Sequence, residues 1–165
     1  MGEPRLVRVR AEPLTAVAWM PFGALPVDDT EPDDPVRVEF EWSDPHVNFI
    51  SHGYDEVEHT KHGARCERMY RHDTHTQTLM PLDRESVVAV APAGVDFTDP
   101  AHIETIRAFR LRPLDCFVLA RGTWHWGPFP TAPGTVRMFN LQGRRYAEDN
   151  THVDLAPHAT VEVVL

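Results

Sequence analysis

The amino-acid sequence predicts an all-β fold, a barrel or jelly roll with one or two short helices. Short segments rich in strand-forming apolar residues recur at regular spacing along the 165 residues. Fifteen prolines outnumber nine glycines, and their spread along the chain is typical of short strands joined by stiff turns rather than of a helical bundle. The length and the 42% hydrophobic content fit one domain over residues 1–165 with a sizeable core.

The predicted elements begin with an edge strand over residues 6–10, whose side chains alternate in polarity. A short helical turn follows at residues 16–20 and ends before Pro21. Residues 28–35 are acidic and proline-rich, which predicts a solvated loop because their charges repel one another. Residues 36–42 then show the plainest two-residue period in the chain, which predicts a half-buried strand.

Further strands complete the predicted sheets. They cover residues 47–51, 65–71, 76–80, 86–91, 105–110, 116–120, 136–141 and 160–165. A second short helix is predicted from Thr98 or Asp99, either of which can cap it, with Pro100 in its first turn. This helix is expected to be a crossover between strands, not a core element.

Charge and hydropathy exclude two classes of partner. The formal net charge of -9 is opposite to the clustered positive charge that nucleic acid or an anionic membrane surface requires. No apolar run reaches the roughly 18 residues of a membrane span, and the first residues lack the apolar core of a secretory signal. We therefore expect a cytoplasmic protein whose partner is a small molecule.

Two histidine segments carry the chemistry that the sequence predicts. The first is Tyr70-x-His72-(x)4-Gln77, which precedes a strand-like run. The second, Arg-Gly-Thr-Trp-His, follows an apolar strand and ends at His125, about fifty residues later. Two such segments form the skeleton of the site in cupin-type double-stranded β-helix barrels. Residues two apart on a strand share a face, so Tyr70 and His72 are expected to point into the barrel, with Thr74 as a further candidate.

Seven other histidines are expected to be exposed loop residues outside the site. They are His46, His52, His59, His62, His102, His152 and His158. For His72 and His125 the alternative to a functional role is a core histidine that is satisfied by backbone carbonyls.

The paired imidazoles allow two kinds of chemistry. In a metal-free pocket they can act as acid and base near neutral pH. If a divalent metal binds, its ligands would be His72, His125 and the amide oxygen of Gln77. That set is poor for zinc or iron, because glutamine is a weak neutral ligand and Tyr70 would bind well only when ionised. We expect no required cofactor, with a divalent metal as the alternative.

Several motifs resemble those of the ureidoglycolate lyase family of cupin-like enzymes. They are the segment around His72 that continues through Leu-Met-Pro-Leu to Leu82, the Val-Val-Ala-Val-Ala-Pro run that ends at Pro92, the Arg-Ala-Phe triplet at 107–109, the Arg-Gly-Thr-Trp-His run with its trailing Pro128, and Pro-Phe-Gly at 21–23. The resemblance covers about residues 12–155. It implies a barrel, usually a homodimer, that splits ureidoglycolate into glyoxylate and urea in purine catabolism and allantoin degradation.

The implied reaction suggests roles for the predicted site residues. A base removes the proton of the hydroxyl on the carbon that bears the urea nitrogen, and an acid protonates that nitrogen, which releases both products. His72 and His125 are the candidates for this base and acid, and Tyr70 is a third catalytic candidate. The expected substrate-binding residues are Gln77, Arg107, Trp124 and Trp126. Arg107 matches the family pattern for binding the substrate carboxylate, and its rivals are Arg71, Arg84 and Arg121.

Two positions depart from the family pattern. Tyr70 stands where the family has the glutamate of Glu-Arg-His, and Trp126 stands where it has the second histidine of Trp-His-His-Pro. Each change replaces an ionisable group by aromatic surface, which favours a larger or less polar ligand. Two alternatives therefore stay open. One is a diverged enzyme of specialised metabolism that acts on a larger, less polar acid, and the other is a non-catalytic cupin that binds a small molecule.

Overall fold

The computed structural model describes residues 5–165, which form two β-sheets joined by turns and short helical segments. The all-β prediction is confirmed, because strands account for 46% of the chain and helices for 10%. The solvated loop predicted at residues 28–35 is also present, and its residues are exposed. Among the described residues, the helices are too short and too polar to cross a bilayer.

Thirteen strands lie within the described residues. In chain order they are β1 (Leu6–Pro13), β2 (Gly23–Ala24), β3 (Pro45–Gly53), β4 (Gly63–Cys66), β5 (Arg68–Arg71), β6 (Gln77–Pro81), β7 (Ser86–Ala91), β8 (Arg107–Leu111), β9 (Phe117–Leu119), β10 (Trp124–Pro130), β11 (Thr135–Gly143), β12 (Thr151–Asp154) and β13 (Thr160–Val164). The helical segments are the α-helix α1 (Ala16–Trp19) and 3-10 helices over Tyr54–Glu56, Pro100–Thr105 and Tyr146–Glu148.

The strands are arranged in a larger and a smaller sheet. The larger has the order β12-β5-β10-β7-β8-β1-β13-β4, and the smaller has the order β2-β9-β6-β11-β3. Most neighbours are antiparallel, whereas β1 runs parallel to both β13 and β8. The two ends of the described chain therefore meet in one sheet.

Strand β7 lies near the centre of the larger sheet and is buried on both faces. Its sequence, Ser-Val-Val-Ala-Val-Ala, is the continuous apolar run expected of a strand that is covered on both sides. Val88 and Val90 pack into the core between the two sheets. Val87 and Ala89 point the other way, into a second core on the opposite face of the larger sheet.

Helix α1 carries Trp19 into the core between the sheets, where the side chain is fully buried. The indole ring meets Phe109 and Phe117 edge-on, with ring centroids 5.2 and 5.0 Å apart. Its N–H donates to the carbonyl oxygen of Val118 at 3.0 Å. Thr15 caps the helix by accepting a hydrogen bond from the backbone N–H of Ala18.

The prediction of a strand at residues 36–42 is wrong. This segment forms one isolated bridge, between Phe40 and His75, and Val38 is 49% exposed. Its natural partner would be β6, which begins at Gln77 beside it. Both edges of β6 are already paired, with β9 and with β11. An alternating pattern becomes a strand only where a free sheet edge is available.

Two further differences concern strand limits. The predicted strand over residues 65–71 is divided at Glu67 into β4 and β5, which lie near opposite ends of the larger sheet. Strand β10 was not among the predicted strands, and it runs through Gly127 and Pro128. Glycine and proline are uncommon within strands, and here they coincide with an irregularity in the pairing with β7.

We predict that Trp19→Ala lowers the free energy of unfolding by about 3–5 kcal/mol, because it leaves a cavity among three phenylalanines and an unpaired carbonyl at Val118. Urea denaturation measures the change. The matched control is Val17→Ala on the same helix, where the side chain is 80% exposed and a change within about 0.5 kcal/mol is expected. Equal losses in the two variants would contradict the assignment of Trp19 to the core.

Candidate functional site

A cavity of about 360 Å³ opens between the two sheets, beside their shared core. Its apolar wall consists of core residues from both sheets: Leu79, Val88, Phe117 and Met138. Its polar wall contains the imidazoles of His52, His72 and His125 and the amides of Asn48, Gln77, Gln142 and Asn150. A small polar molecule with an apolar face fits such a lining.

His72 and His125 lie side by side in this cavity, with ring centroids 5.3 Å apart. The pairing of β5 with β10 sets Tyr70 directly opposite His125. His72 comes two residues after Tyr70 and faces the same way. The backbone N–H of Gly122 donates to the carbonyl of His72 at 2.7 Å, which ties the turn before β10 to the end of β5. The three side chains predicted to be catalytic therefore share one cavity.

Backbone carbonyls determine the tautomers of both imidazoles. Nδ1 of His72 lies 2.5 Å from the carbonyl oxygen of Asp149, and Nδ1 of His125 lies 3.0 Å from that of Thr123. A carbonyl oxygen only accepts hydrogen bonds, so each Nδ1 must carry the hydrogen. In the neutral rings Nε2 keeps its lone pair and can accept a proton.

Burial keeps both imidazoles neutral. Loss of hydration, together with the charge that His72 would carry, lowers the pKa of His125 to about 3. Loss of hydration also lowers the pKa of His72, although its bond to the Asp149 carbonyl opposes the shift. At neutral pH the site thus contains two bases, not the base and the acid expected from the sequence. The acid must be another group.

A third imidazole, His75, stacks on His72 with ring centroids 4.6 Å apart. Burial and the neighbouring His72 lower its pKa to about 4. Its Nδ1 lies 3.5 Å from the carboxylate of Asp149. That carboxylate also accepts hydrogen bonds from the backbone N–H groups of Asp73 and Thr74 and from the Thr74 hydroxyl. The side chain of Asp149 therefore joins the segment after β11 to the turn after β5, and its backbone carbonyl accepts the hydrogen bond from His72.

Sequence reasoning missed His75 and Asp149. His75 lies three residues after His72, a spacing that does not place two residues on one face of a strand. Asp149 lies in a polar stretch before β12 and has no feature that separates it from surface acids. Thr74, expected in the barrel, points instead to Asp149.

The amide side chains form a chain of hydrogen bonds along one wall. Nε2 of Gln77 donates to Oδ1 of Asn140 at 2.9 Å and lies 3.2 Å from Oε1 of Gln142. Asn140 in turn donates to Asn48 at 2.7 Å. Oε1 of Gln77 is buried and has no hydrogen-bond partner in the described part of the chain. Gln77, predicted as a substrate-binding residue, thus lines the cavity with one acceptor free for a ligand.

The same residues fit a metal ion poorly. Across residues 5–165, no three His, Cys, Asp or Glu side chains are placed to share a metal. The candidate ligands remain His72, His125 and Gln77, two neutral nitrogens and one neutral oxygen. Carboxylate oxygens and thiolates, which hold most divalent ions in proteins, are absent from the cavity lining in the described residues.

Trp124, predicted to bind substrate, lies outside the cavity. It points to the opposite face of β10 from His125, as strand alternation requires. Its ring packs against Phe97 with centroids 5.4 Å apart, and its indole N–H donates to the carbonyl of Val95 at 3.0 Å. Trp124 is therefore a core residue, and its predicted contact with substrate is wrong.

Arg107, the predicted carboxylate-binding residue, is also outside the cavity. Its guanidinium bonds both carboxylate oxygens of Glu12, at 2.8 and 2.7 Å. The three rival arginines are engaged elsewhere. Arg71 lies over the Trp124 ring at 4.7 Å, Arg84 donates to the carbonyl of Pro133, and Arg121 pairs with Glu41 at 2.6 Å. The structure thus places none of the four candidate arginines in the cavity lining, which corrects the expected position of Arg107.

Trp126 does line the cavity, as predicted, although regular alternation would place it with Trp124. The pairing of β10 with β7 is regular up to Trp126 and shifts register directly after it, between Trp126 and Phe129, and such irregularities can re-aim a neighbouring side chain. The Trp126 ring lies 5.0 Å from that of Tyr70, between centroids. Together they form an aromatic wall beside the imidazoles.

His52 is a cavity residue, and its prediction as an exposed loop histidine is wrong. It lies on β3, and its Nδ1 donates to the carbonyl of Pro128 at 3.0 Å. Its ring meets Trp126 edge-on, with centroids 5.3 Å apart. His46 and His152 also lie on strands, β3 and β12, rather than in loops.

Comparison with known proteins gives one family. The family model described as ureidoglycolate lyase matches residues 38–162, a range that contains every residue of the cavity lining named above. Curated proteins include none that matches the chain.

The lowered pKa values predict that the folded protein loses stability as the pH falls from about 6.5 towards 4. An unfolded histidine binds its proton below its ordinary pKa of 6.5, whereas His125 and His75 do so only near 3 and 4 in the folded state. The slope per histidine is at most about 1.4 kcal/mol per pH unit. Urea unfolding at pH 7, 6 and 5 measures how the free energy of unfolding changes with pH.

The variant His125→Gln separates this effect from the titration of carboxylates. As the pH falls, the free energy of unfolding of this variant should decrease less steeply than that of the wild type. His62→Gln, at an exposed position, should retain the wild-type slope. An unchanged slope in His125→Gln would contradict the burial of a neutral imidazole at this position.

We further predict that Asp149→Ala costs about 1–3 kcal/mol, since it leaves the N–H groups of Asp73 and Thr74 without their acceptor. Asp149→Asn, which retains one acceptor oxygen, should lie between the wild type and Asp149→Ala. Asp154→Ala is the matched control, because Asp154 is 58% exposed and lies 3.7 Å from Arg68, so little change is expected. Thermal unfolding of the three variants tests this order of stabilities. A loss of stability in Asp154→Ala as large as that in Asp149→Ala would contradict the prediction.

Proposed function

The chain belongs to the ureidoglycolate lyase family, and on this premise we propose that it is a lyase that cleaves the bond between a urea nitrogen and a hydroxyl-bearing carbon. Ureidoglycolate, which would yield glyoxylate and urea, is the reference substrate. One observation carries the proposal: two imidazoles with free Nε2 lone pairs and one phenol share a cavity between the sheets.

The first requirement of the reaction is a base for the hydroxyl proton. As that proton leaves, the carbon–oxygen bond becomes a carbonyl and the electron pair of the C–N bond departs with the nitrogen. Nε2 of His125 or of His72 can take the proton, because each Nδ1–H is engaged by a backbone carbonyl. A histidine with a lowered pKa is a weak base, but it is unprotonated over the whole neutral range.

The second requirement is a proton for the departing nitrogen. We assign it to the hydroxyl of Tyr70, since a phenol has an O–H that can donate and Tyr70 lies opposite His125 in the strand pairing. The guanidinium of Arg68 lies 3.4 Å from the phenol oxygen and would stabilise the phenolate that forms. The imidazolium then returns its proton to the phenolate. This cycle moves one proton and requires no cofactor.

A second candidate keeps this chemistry and changes the substrate. The aromatic wall of Tyr70 and Trp126 and the cavity volume of about 360 Å³ favour a larger, less polar ligand than ureidoglycolate. A family member recruited to specialised metabolism would have such a site. Activity on ureidoglycolate that is weak beside activity on an alkyl- or aryl-substituted hydroxy ureide would select this candidate.

We predict that His125→Gln and His72→Gln each lower kcat/KM for ureidoglycolate by about 100- to 10,000-fold, the range expected on loss of a general base. The release of urea and glyoxylate from purified protein measures this. Tyr70→Phe should lower kcat with a smaller change in KM, because the lost proton transfer belongs to the transition state. His62→Gln, far from the cavity lining, should retain activity. Full activity in both His125→Gln and His72→Gln would contradict the assignment of the general base.

A further inference from the structure

We infer that the cavity selects an uncharged substrate, one with an amide or similar neutral group where ureidoglycolate has its carboxylate. The reaction assigned to that substrate rests on the proposed lyase function, whereas the binding preference is a property of the cavity itself.

The first argument is the charge of the lining. Of the side chains from residues 5–165 that line the cavity, none is Arg, Lys, Asp or Glu. A carboxylate that enters such a space loses its hydration and finds no cation in return, which is far more costly than the desolvation of a neutral amide. Sites that recognise carboxylates usually provide an arginine for this purpose.

The second argument is that the nearby arginines are committed elsewhere. Arg107 is held by two bonds to Glu12, Arg121 by Glu41, and Arg71 lies 3.4 Å from a carboxylate oxygen of Asp73. Arg68 lies behind the lining, 3.4 Å from the phenol oxygen of Tyr70 and 3.7 Å from a carboxylate oxygen of Asp154. Recruitment of any of these guanidinium groups to the cavity would break an ion pair. The imidazoles do not replace them, because His72 and His125 are neutral in the folded protein.

The third argument is the field of Asp149. Although burial opposes it, hydrogen bonds from Thr74 and Asp73 hold the pKa of this carboxyl below its usual value, so that it is ionised at neutral pH. Its negative charge acts on His72, beside the reacting centre. An anion that enters the cavity would be repelled by this charge, which lies just behind the lining.

The fourth argument concerns hydrogen-bond complementarity. Oε1 of Gln77 is an unpartnered acceptor on a side chain that is only 6% exposed. An N–H group of a bound amide or ureide would satisfy it, whereas a carboxylate oxygen would face it lone pair to lone pair. Asn48, Gln142 and Asn150 add further amides that both donate and accept, which matches a ligand built from amide groups.

The binding test compares ureidoacetate with ureidoacetamide. The two differ only in a carboxylate against a carboxamide, and both lack the reacting hydroxyl, so neither can be cleaved. Isothermal titration at pH 7.5 with the full chain should show ureidoacetamide bound at least about tenfold more tightly, the scale expected for one unpaired buried charge. Equal affinity, or tighter binding of ureidoacetate, would overturn the inference whether or not the protein is a lyase.

The turnover test separates this inference from the proposed function. It compares ureidoglycolate with its neutral amide, 2-hydroxy-2-ureidoacetamide, by release of urea. A higher kcat/KM for the amide supports both proposals. A higher kcat/KM for ureidoglycolate supports the lyase and overturns the neutral preference. If neither is cleaved while ureidoacetamide still binds more tightly, the lyase assignment fails and the preference stands.

A cation added at the mouth of the cavity gives an independent check. Ser51 is an exposed residue of the lining and belongs to none of the contacts argued above, so that Ser51→Arg leaves the core and the amide wall intact. It should tighten ureidoacetate binding by about tenfold and leave ureidoacetamide binding within about twofold. Ser51→Gln is the neutral control and should change neither affinity. An unchanged preference in Ser51→Arg would contradict the charge argument.

Discussion

The pairing of β10 with β5 is the contact around which the site is organised. It sets His125 opposite Tyr70, and the turn that leads into it is bonded to the backbone of His72. Gly122 in that turn has φ +77°, and a Cβ there would come within 3.2 Å of the Cβ of Ala93, so a glycine suits this position. Two histidines that are distant in sequence are held together by backbone geometry, which side-chain motion alone does not loosen.

Loss of hydration explains the electrostatic character of the cavity. The cores behind the two sheets withdraw His72, His75 and His125 from water, and all three become hard to protonate. The backbone carbonyls at Asp149 and Thr123 then determine which nitrogen of each catalytic candidate keeps its hydrogen. In the described lining the polar groups are buried without a charged side chain among them, so that the imidazoles remain neutral and Nε2 is available as a base.

This condition also connects the structure to the proposed function. A buried neutral imidazole is available as a base without competition from protons at neutral pH, and in the proposed reaction the phenol of Tyr70 provides the proton that such an imidazole cannot. Where the family pattern has a glutamate, this chain has a hydroxyl. The aromatic wall of Tyr70 and Trp126 presents apolar surface on one side of the cavity, which in the proposed reaction would keep water from the reacting atoms.

The sequence by itself determined the all-β fold, the buried strand β7, the shared face of Tyr70 and His72, and the family. Each of these follows from local alternation or from motifs that are contiguous in the chain.

Only the tertiary structure decided which residues face the cavity, because that depends on free sheet edges and on strand irregularities that no local pattern reports. Residues 36–42 alternate but find β6 already paired on both edges. Trp126 lines the cavity and Trp124 does not, and β10 changes register directly after Trp126. The guanidinium of Arg107 is bound by Glu12, and the carbonyl of Asp149 accepts a hydrogen bond from His72. Both contacts join segments that are far apart in the chain.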